Sequence, residues 1–211
     1  MTAAPWPRLG ETTTIIMENN LCIYCGSAAG ADARFAEAAE IVGRAIAGHG
    51  YGLVYGGGCV GLMGIVADAV LAHGGRVIGV IPEALVAREV MHRGLTELHV
   101  VRDMHERKAM MADRSNAFLT LPGGIGTFEE FFETLSWATL GLHHKTMGVL
   151  NVAGYFDPLI ALLDHAVSQQ FVRPENRKLL LVSADPETLV VDVMRQSGGG
   201  SSRQKIDLDS A

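Results

Sequence analysis

Between residues 21 and 195, short apolar runs alternate with longer segments whose apolar positions recur at helical spacing. That alternation is the pattern of a parallel sheet wrapped by helices. The predicted strands are LCIYC (21–25), GLVY (52–55), RVIGVI (76–81), LHVV (98–101), AFLTL (117–121), MGVLNV (147–152) and LLLVS (179–183). Among the intervening segments, ADARFAEAAEIVGRAIAGHG (31–50) reads as an alanine-rich amphipathic helix ending at Gly50, and LMGIVADAVLAHGG (62–75) as another, whose glycine pair suits a C-cap. Further helices are predicted near 104–114, 127–140, 157–170 and 186–195. The expected fold is α/β, a doubly wound, Rossmann-like, mostly parallel sheet flanked by helices. No internal repeat is visible. The polar or Gly/Ser-rich ends, 1–18 and 197–211, read as mobile tails around one domain spanning 19–196.

Composition narrows the function. A chain of 211 residues, 48% hydrophobic, fills one core and leaves little for a second domain. Its formal charge of -6, with Lys and Arg scattered, is no footprint for nucleic acid or an anionic membrane, so a small ligand is the expected partner. The N-terminal MTAAPWPRLGETTT lacks the apolar core of a signal peptide, and no run of about 18 apolar residues exists to span a bilayer, so a cytoplasmic protein is expected. The odd count of Cys22, Cys25 and Cys59 fits a reducing compartment. Cys22 and Cys25 form a CxxC, but inside a strand that spacing puts them on opposite faces, a core arrangement and not a redox one.

Three strand-to-helix turns are rich in small residues: CGSAAG (25–30), GGGCVGLMG (56–64) and PGGIGT (122–127). All belong to the carboxyl edge of the sheet, where doubly wound folds bind ligands. A turn without side chains lets a ligand approach the backbone, and the following helix offers its positive N-terminus. Ser27 and Gly58, on the first two turns, are therefore candidate binding residues, with Gly124, Gly126 and Thr127 on the third. Gly56, Gly58 and Gly61 satisfy GxGxxG, with Glu83 after the next strand, but they follow the second strand and not the first, and tight helix packing accounts for them as well. The sequence contains no Gly-Lys pair, which removes a Walker A loop.

Charged residues cluster around two of the predicted helices. Asp103 can cap the helix after LHVV, with Glu106 completing an approximate capping box. Arg107 and Lys108 then meet the unfavourable positive end of the helix dipole, a loss of roughly 0.3–1 kcal/mol that an ion pair with Glu106 or Asp103, or a bound ligand, would offset. In PGGIGTFEE, Thr127, Glu130 and Glu133 recur at three residues and share a face, whereas Glu129 is turned about 100° from Glu130 and reads as a plain helix stabiliser. His143 and His144 adjoin without an acidic partner at ligand spacing, so no metal site is expected there.

The stretch MHERKAMMADRSNAFLTLPGGIGTFEEFFETLSWATLGLHHK (104–145) resembles the signature region of the Lonely guy (LOG) family of cytokinin riboside 5'-monophosphate phosphoribohydrolases, with its PGGxGTxxE motif downstream of an Arg-Lys pair. YGGGCVGLMG and GVLNVAGYFDPL resemble the family's other landmarks, and the likeness covers about 20–185. The resemblance implies hydrolysis of the N-glycosidic bond of an N6-modified AMP to free base and ribose 5-phosphate. It puts the catalytic pair on Arg107 and Glu130, and nucleotide contacts on Glu89, Lys108, Gly124, Gly126, Thr127 and Ser136, the last a Ser where relatives often have Thr. It implies no metal or other cofactor, and a homodimer or larger assembly. It also leaves a pyridoxal-dependent lysine decarboxylase, an older label for such proteins, without a lysine context. Two rival readings remain: a purine nucleosidase acting on AMP itself, and a non-catalytic carrier of the kind known for the molybdenum cofactor. Arg107 with Glu130 argues against the carrier.

Overall fold

The computed structural model describes residues 19–86 and 91–198. Each of the seven predicted runs forms a strand, and all seven pair in parallel in one sheet. In chain order they are β1 (Asn20–Tyr24), β2 (Gly52–Tyr55), β3 (Arg76–Pro82), β4 (Glu97–Val101), β5 (Ala117–Thr120), β6 (Thr146–Leu150) and β7 (Leu180–Ser183). The spatial order is β4-β3-β2-β1-β5-β6-β7. The chain therefore winds outward from β1 to one edge, returns to the middle, and winds outward again from β5. The reversal leaves a switch point between β1 and β5, the place where a ligand crevice opens in such sheets.

Long helices α1 (Ala33–Gly48), α2 (Gly61–Ala72), α4 (Met104–Asp113), α5 (Ile125–Thr139), α6 (Asp157–Ser168) and α8 (Pro186–Gly198) cover both faces. Two one-turn helices, α3 (Glu83–Val86) and α7 (Pro174–Arg177), lie outside the predicted set, being too short to show a period. Alternation along β1 sorts its side chains into two cores. Leu21, Ile23 and Cys25 pack with α1, α2 and α8, while Cys22 and Tyr24 pack with α4, α5 and α6. The CxxC is thus split across the sheet, as its spacing requires. α8 runs two residues past the expected domain end at 196. Ser197 Oγ donates to Asn116 O (2.9 Å) and accepts from Thr146 N, tying the helix end to the sheet. Residues 1–18 and 199–211, the expected tails, and Glu89 lie outside the described residues. Among the described residues no helix is long and apolar enough to cross a membrane.

Helix α5 is seated by a buried polar chain as well as by Phe131. Thr134 Oγ1 donates to Glu130 O (2.9 Å), so with its single hydrogen used it accepts from Tyr24 OH (2.9 Å). His143 contacts Thr134 O through Nε2 at 3.0 Å, and its Nδ1 accepts Lys145 N at 3.2 Å. That second bond needs a bare Nδ1, so the proton resides on Nε2 and the ring is neutral. Burial holds His143 below the ordinary histidine range, reinforced by Lys145 and His144. An unfolded histidine takes up its proton at a higher pH than this one, so the unfolded chain binds more protons once pH falls below about 6.5. The contribution is complete above that value and is lost as pH falls through the folded value. The melting temperature should therefore drop between about pH 7 and about pH 5, and His143→Gln, which cannot charge, should show a shallower drop by calorimetry.

Candidate active site

Because β2, β1 and β5 are neighbours, the three glycine-rich turns, far apart in sequence, lie side by side at the carboxyl edge. Their backbones touch. Gly26 N donates to Pro122 O (3.0 Å), and Met63 N to Gly26 O (3.3 Å). A Cβ on Gly26 would lie 3.1 Å from Gly123 Cα, and one on Gly61, whose φ is +60°, would lie 2.3 Å from Ser27 C. These glycines permit turn-on-turn packing. Gly124 and Gly126 differ: a Cβ on either would meet nothing within 4 Å, so both face open space.

Two of the three helices that follow these turns lack a side-chain cap. α5 begins after Gly124 and α2 after Val60, neither with a side-chain cap. By contrast, Asp32 caps α1, after the first turn, and Asp103 caps α4, each accepting a first-turn amide. Uncapped first-turn amides at an open edge form a site for an anion.

Arg107 and Lys108 are both buried, although adjacent on α4. They leave the helix about 100° apart and meet different fates. Lys108 Nζ crosses to α5 and donates to Glu129 Oε1 (2.5 Å) and Glu133 Oε1 (2.9 Å). Burial pulls the Lys108 ammonium down, but those two bonds outweigh it and its pKa stands above the usual lysine value. Arg107 reaches the sheet edge instead, where Nη2 donates to Gly56 O (3.3 Å). Gly56 makes that approach possible, since a Cβ there would sit 1.9 Å from the same nitrogen. Of the acids expected to offset this pair, Asp103 is the cap and Glu106 binds Arg102 through its backbone N (2.9 Å) and Nε (3.0 Å). The compensation for Lys108 comes from α5, which helical spacing within α4 could not reveal.

Glu129 is accordingly more than a stabiliser of its own helix: with Glu133, at i,i+4, it clamps α5 to α4. The three-residue repeat had grouped Glu133 with Glu130. Glu130 itself is half-buried, on the side of α5 that carries the buried Thr127 and Thr134. Burial raises the Cys22 and Cys25 thiols, and the Glu130 charge raises both further. Thr127 is buried, its Oγ1 filling the space where a Gly123 side chain would stand.

The remaining candidates are dispersed. Ser27 is exposed on the first turn. Gly58 is buried, accepts from Tyr55 OH (3.1 Å) and bridges to Met91, while His92 N donates to Gly57 O (3.0 Å). The GxGxxG is therefore a packing device, roofed by residues 91 and 92. Ser136 is exposed about 120° around α5 from Glu130 and about 9 Å along it. It lines an apolar groove of about 260 Å³ with Phe132, Leu135, Thr139, Leu163 and Phe171. The structure thus brings Arg107, Gly124, Gly126, Thr127 and Glu130 to one edge, with Ser27 and Gly58 on the neighbouring turns, and leaves Ser136 apart. Tyr155, whose OH donates to Gly123 O (2.5 Å), belongs to the edge but was marked beforehand only by the GVLNVAGYFDPL landmark. Among the described residues no group of three or more His, Cys, Asp or Glu could hold a metal ion.

Replacing Lys108 by Met should leave Glu129 and Glu133 facing each other and cost about 2 kcal/mol in denaturant unfolding. That lies below the figure for a fully buried pair because the Glu129 side chain is 49% exposed. Glu129→Gln should cost less, since Glu133 retains the ammonium.

The topology and this edge define a doubly wound α/β protein with its crevice at the switch point. Residues 63–193, more than half of the chain, match a family model described as possible lysine decarboxylase. A cytokinin riboside 5'-monophosphate phosphoribohydrolase of Rhodococcoides fascians is 47% identical over 82% of this chain and 88% of its own. The LOG phosphoribohydrolase of Oryza sativa subsp. japonica is 46% identical over 81% and 71%. The chain belongs to the LOG family of cytokinin riboside 5'-monophosphate phosphoribohydrolases. Among solved structures, the molybdenum cofactor carrier protein of Chlamydomonas reinhardtii superposes with a TM-score of 0.64 at 20% identity, covering 85% of this chain and 98% of its own. The molybdenum cofactor binding protein of Rippkaea orientalis does so at 0.63 and 18%, covering 85% and 96%. These two share the fold.

Proposed function

We propose that this protein hydrolyses the N-glycosidic bond of an N6-modified adenosine 5'-monophosphate, releasing the free base and ribose 5-phosphate. The observation that carries the reading is the half-buried Glu130 one helical turn along α5 from Gly126, on a helix whose start at Gly124 and Gly126 is open. In this reading the amides at the start of α5 hold the 5'-phosphate. Cleavage of C1'–N9 passes through a ribosyl cation, which Glu130 stabilises while orienting the water that delivers hydroxide to C1'. The bonding pair leaves with N9, and Arg107, permanently charged, stabilises the purine as it gathers negative charge. The proton that completes the base comes from the attacking water.

Glu130→Gln keeps size and packing and removes the charge, so kcat should fall by about 10²–10³-fold. Chromatography of nucleotide incubated with wild type and variant reads this directly. An undiminished free-base peak in the variant would end the assignment to Glu130. Equal turnover of AMP and isopentenyladenosine monophosphate by the wild type would favour the broad nucleosidase, and release of ribose 5-phosphate from neither would favour the carrier.

The working form in this reading is a homodimer in the cytoplasm. Cys22, Cys25 and Cys59 are free thiols, which suits a reducing compartment. Phe171, Leu140 and Leu142, at 89%, 70% and 70% exposure, border the face of α5 that carries Ser136. A second copy packed there would cover this apolar surface and bring its Ser136 toward the first copy's nucleotide. Light scattering should give twice the chain mass, and Phe171→Glu combined with Leu142→Glu should give the monomer mass. A monomeric wild type would overturn the dimer.

A further inference from the structure

The geometry points to Tyr155 as a positioning residue of the phosphate cradle, holding the Gly123 carbonyl so that the Gly124 amide N–H is aimed at the substrate's phosphate. Tyr155 OH donates to Gly123 O at 2.5 Å. The described backbone has no cis peptide bonds, and in a trans peptide the carbonyl and the following N–H point in opposite directions across one plane. Fixing the Gly123 carbonyl toward Tyr155 therefore turns the Gly124 N–H the other way. On the preceding peptide, Pro122 O is likewise held from behind, by Gly26 N at 3.0 Å. Gly124 is the N-cap of α5 and has open space around it, so the amide so aimed adds a donor to those of the first turn.

The loop that presents Tyr155 is held in one shape. Ala153 sits at φ 56° and ψ 19°, a left-handed conformation that a residue with a side chain adopts only when its surroundings impose it. Gly154 follows at φ 70°, where a Cβ would lie 2.6 Å from Asp157 Oδ2. Asn151 closes the loop, its Oδ1 accepting Phe156 N (2.7 Å) and its Nδ2 donating to Asp157 Oδ1 (2.7 Å). The Tyr155 ring is wedged edge-on against Phe35 (centroids 5.5 Å apart) and Phe156 (4.9 Å). This is the arrangement expected of a residue that must hold a backbone dipole at a fixed angle. The segment NVAGYFDP, otherwise unexplained by the reaction, is accounted for in this way.

The inference rests on the proposed hydrolysis for the identity of the anion, so the test includes a readout that needs no turnover. Tyr155→Phe keeps the ring and its packing and removes only the hydroxyl, and an unchanged melting temperature verifies the fold. Calorimetric titration with ribose 5-phosphate should show Kd raised about fivefold, the loss of one hydrogen bond's worth of ordering. In kinetics, KM for the nucleotide should rise by a similar factor while kcat stays within about twofold, and affinity for adenosine, which lacks the phosphate, should not change. Ribose 5-phosphate affinity equal to that of wild type, equal weakening toward adenosine, or no measurable ribose 5-phosphate binding by the wild type would each overturn the role. If the wild type binds ribose 5-phosphate, the variant binds it more weakly and neither hydrolyses nucleotide, Tyr155 keeps its role and the hydrolase reading falls.

Discussion

The hydrogen bond from Gly26 N to Pro122 O is the constraint on which the edge of the sheet depends. It continues the β1–β5 ladder past the strands, one step beyond Leu121 N to Tyr24 O, into turns that would otherwise splay apart. At the switch point the chain leaves the sheet in opposite directions on either side, and this contact holds the two turns together. It requires Gly26 and Gly123 to meet backbone to backbone, which side chains would prevent. With the turns joined, the starts of α2 and α5 share one surface. The Gly56 slot for Arg107 lies about one strand spacing from β1 and about two, roughly 10 Å, from β5.

An anion site beside three glutamates looks electrostatically contradictory, and the side-chain pairing resolves it. Glu129 and Glu133 point toward α4 and share the Lys108 ammonium, so half of their charge is neutralised away from the open turn. Glu130, about 100° around α5 from Glu129, lies on the side of the buried Thr127 and Thr134. Arg107 brings a permanent positive charge to the same edge through a bond to a backbone carbonyl. Two neighbouring cations on α4 thus serve separate ends, one in fixing α5 and one in polarising the crevice.

Local signals made much of this legible in the sequence. Apolar runs bounded by glycine and proline located the strands to within a residue or two, because a strand buried on both faces must be apolar throughout. The PGGIGT turn and the Asp103 cap were legible for the same reason: their chemistry is completed within a few residues. Strand order was not, since it is set by which helix faces bury each other. Nor was the Lys108 clamp, whose partners lie 21 and 25 residues on, across a strand. The three-residue repeat misled over Glu133, because on a helix both i+3 and i+4 are neighbours and only the partner helix decides between them. The bridge from Gly58 to Met91 was not legible either, because its two partners lie 33 residues apart.

The fold cannot separate an enzyme from a carrier, since a molybdenum cofactor carrier protein and a molybdenum cofactor binding protein share it at TM-scores above 0.6. The discrimination lies in the presence of Glu130. A carboxylate about 6 Å from a bound anion, at an effective dielectric near 20, repels it by about 3 kcal/mol per unit charge, roughly a hundredfold in affinity. A protein whose task ended with holding the anion would bind better with a neutral residue there. In the proposed reaction, positive charge that develops in the ligand between its phosphate and the carboxylate offsets that penalty. Cleavage at C1' produces that charge, and it is strongest in the transition state, where stabilisation accelerates the reaction instead of merely tightening binding.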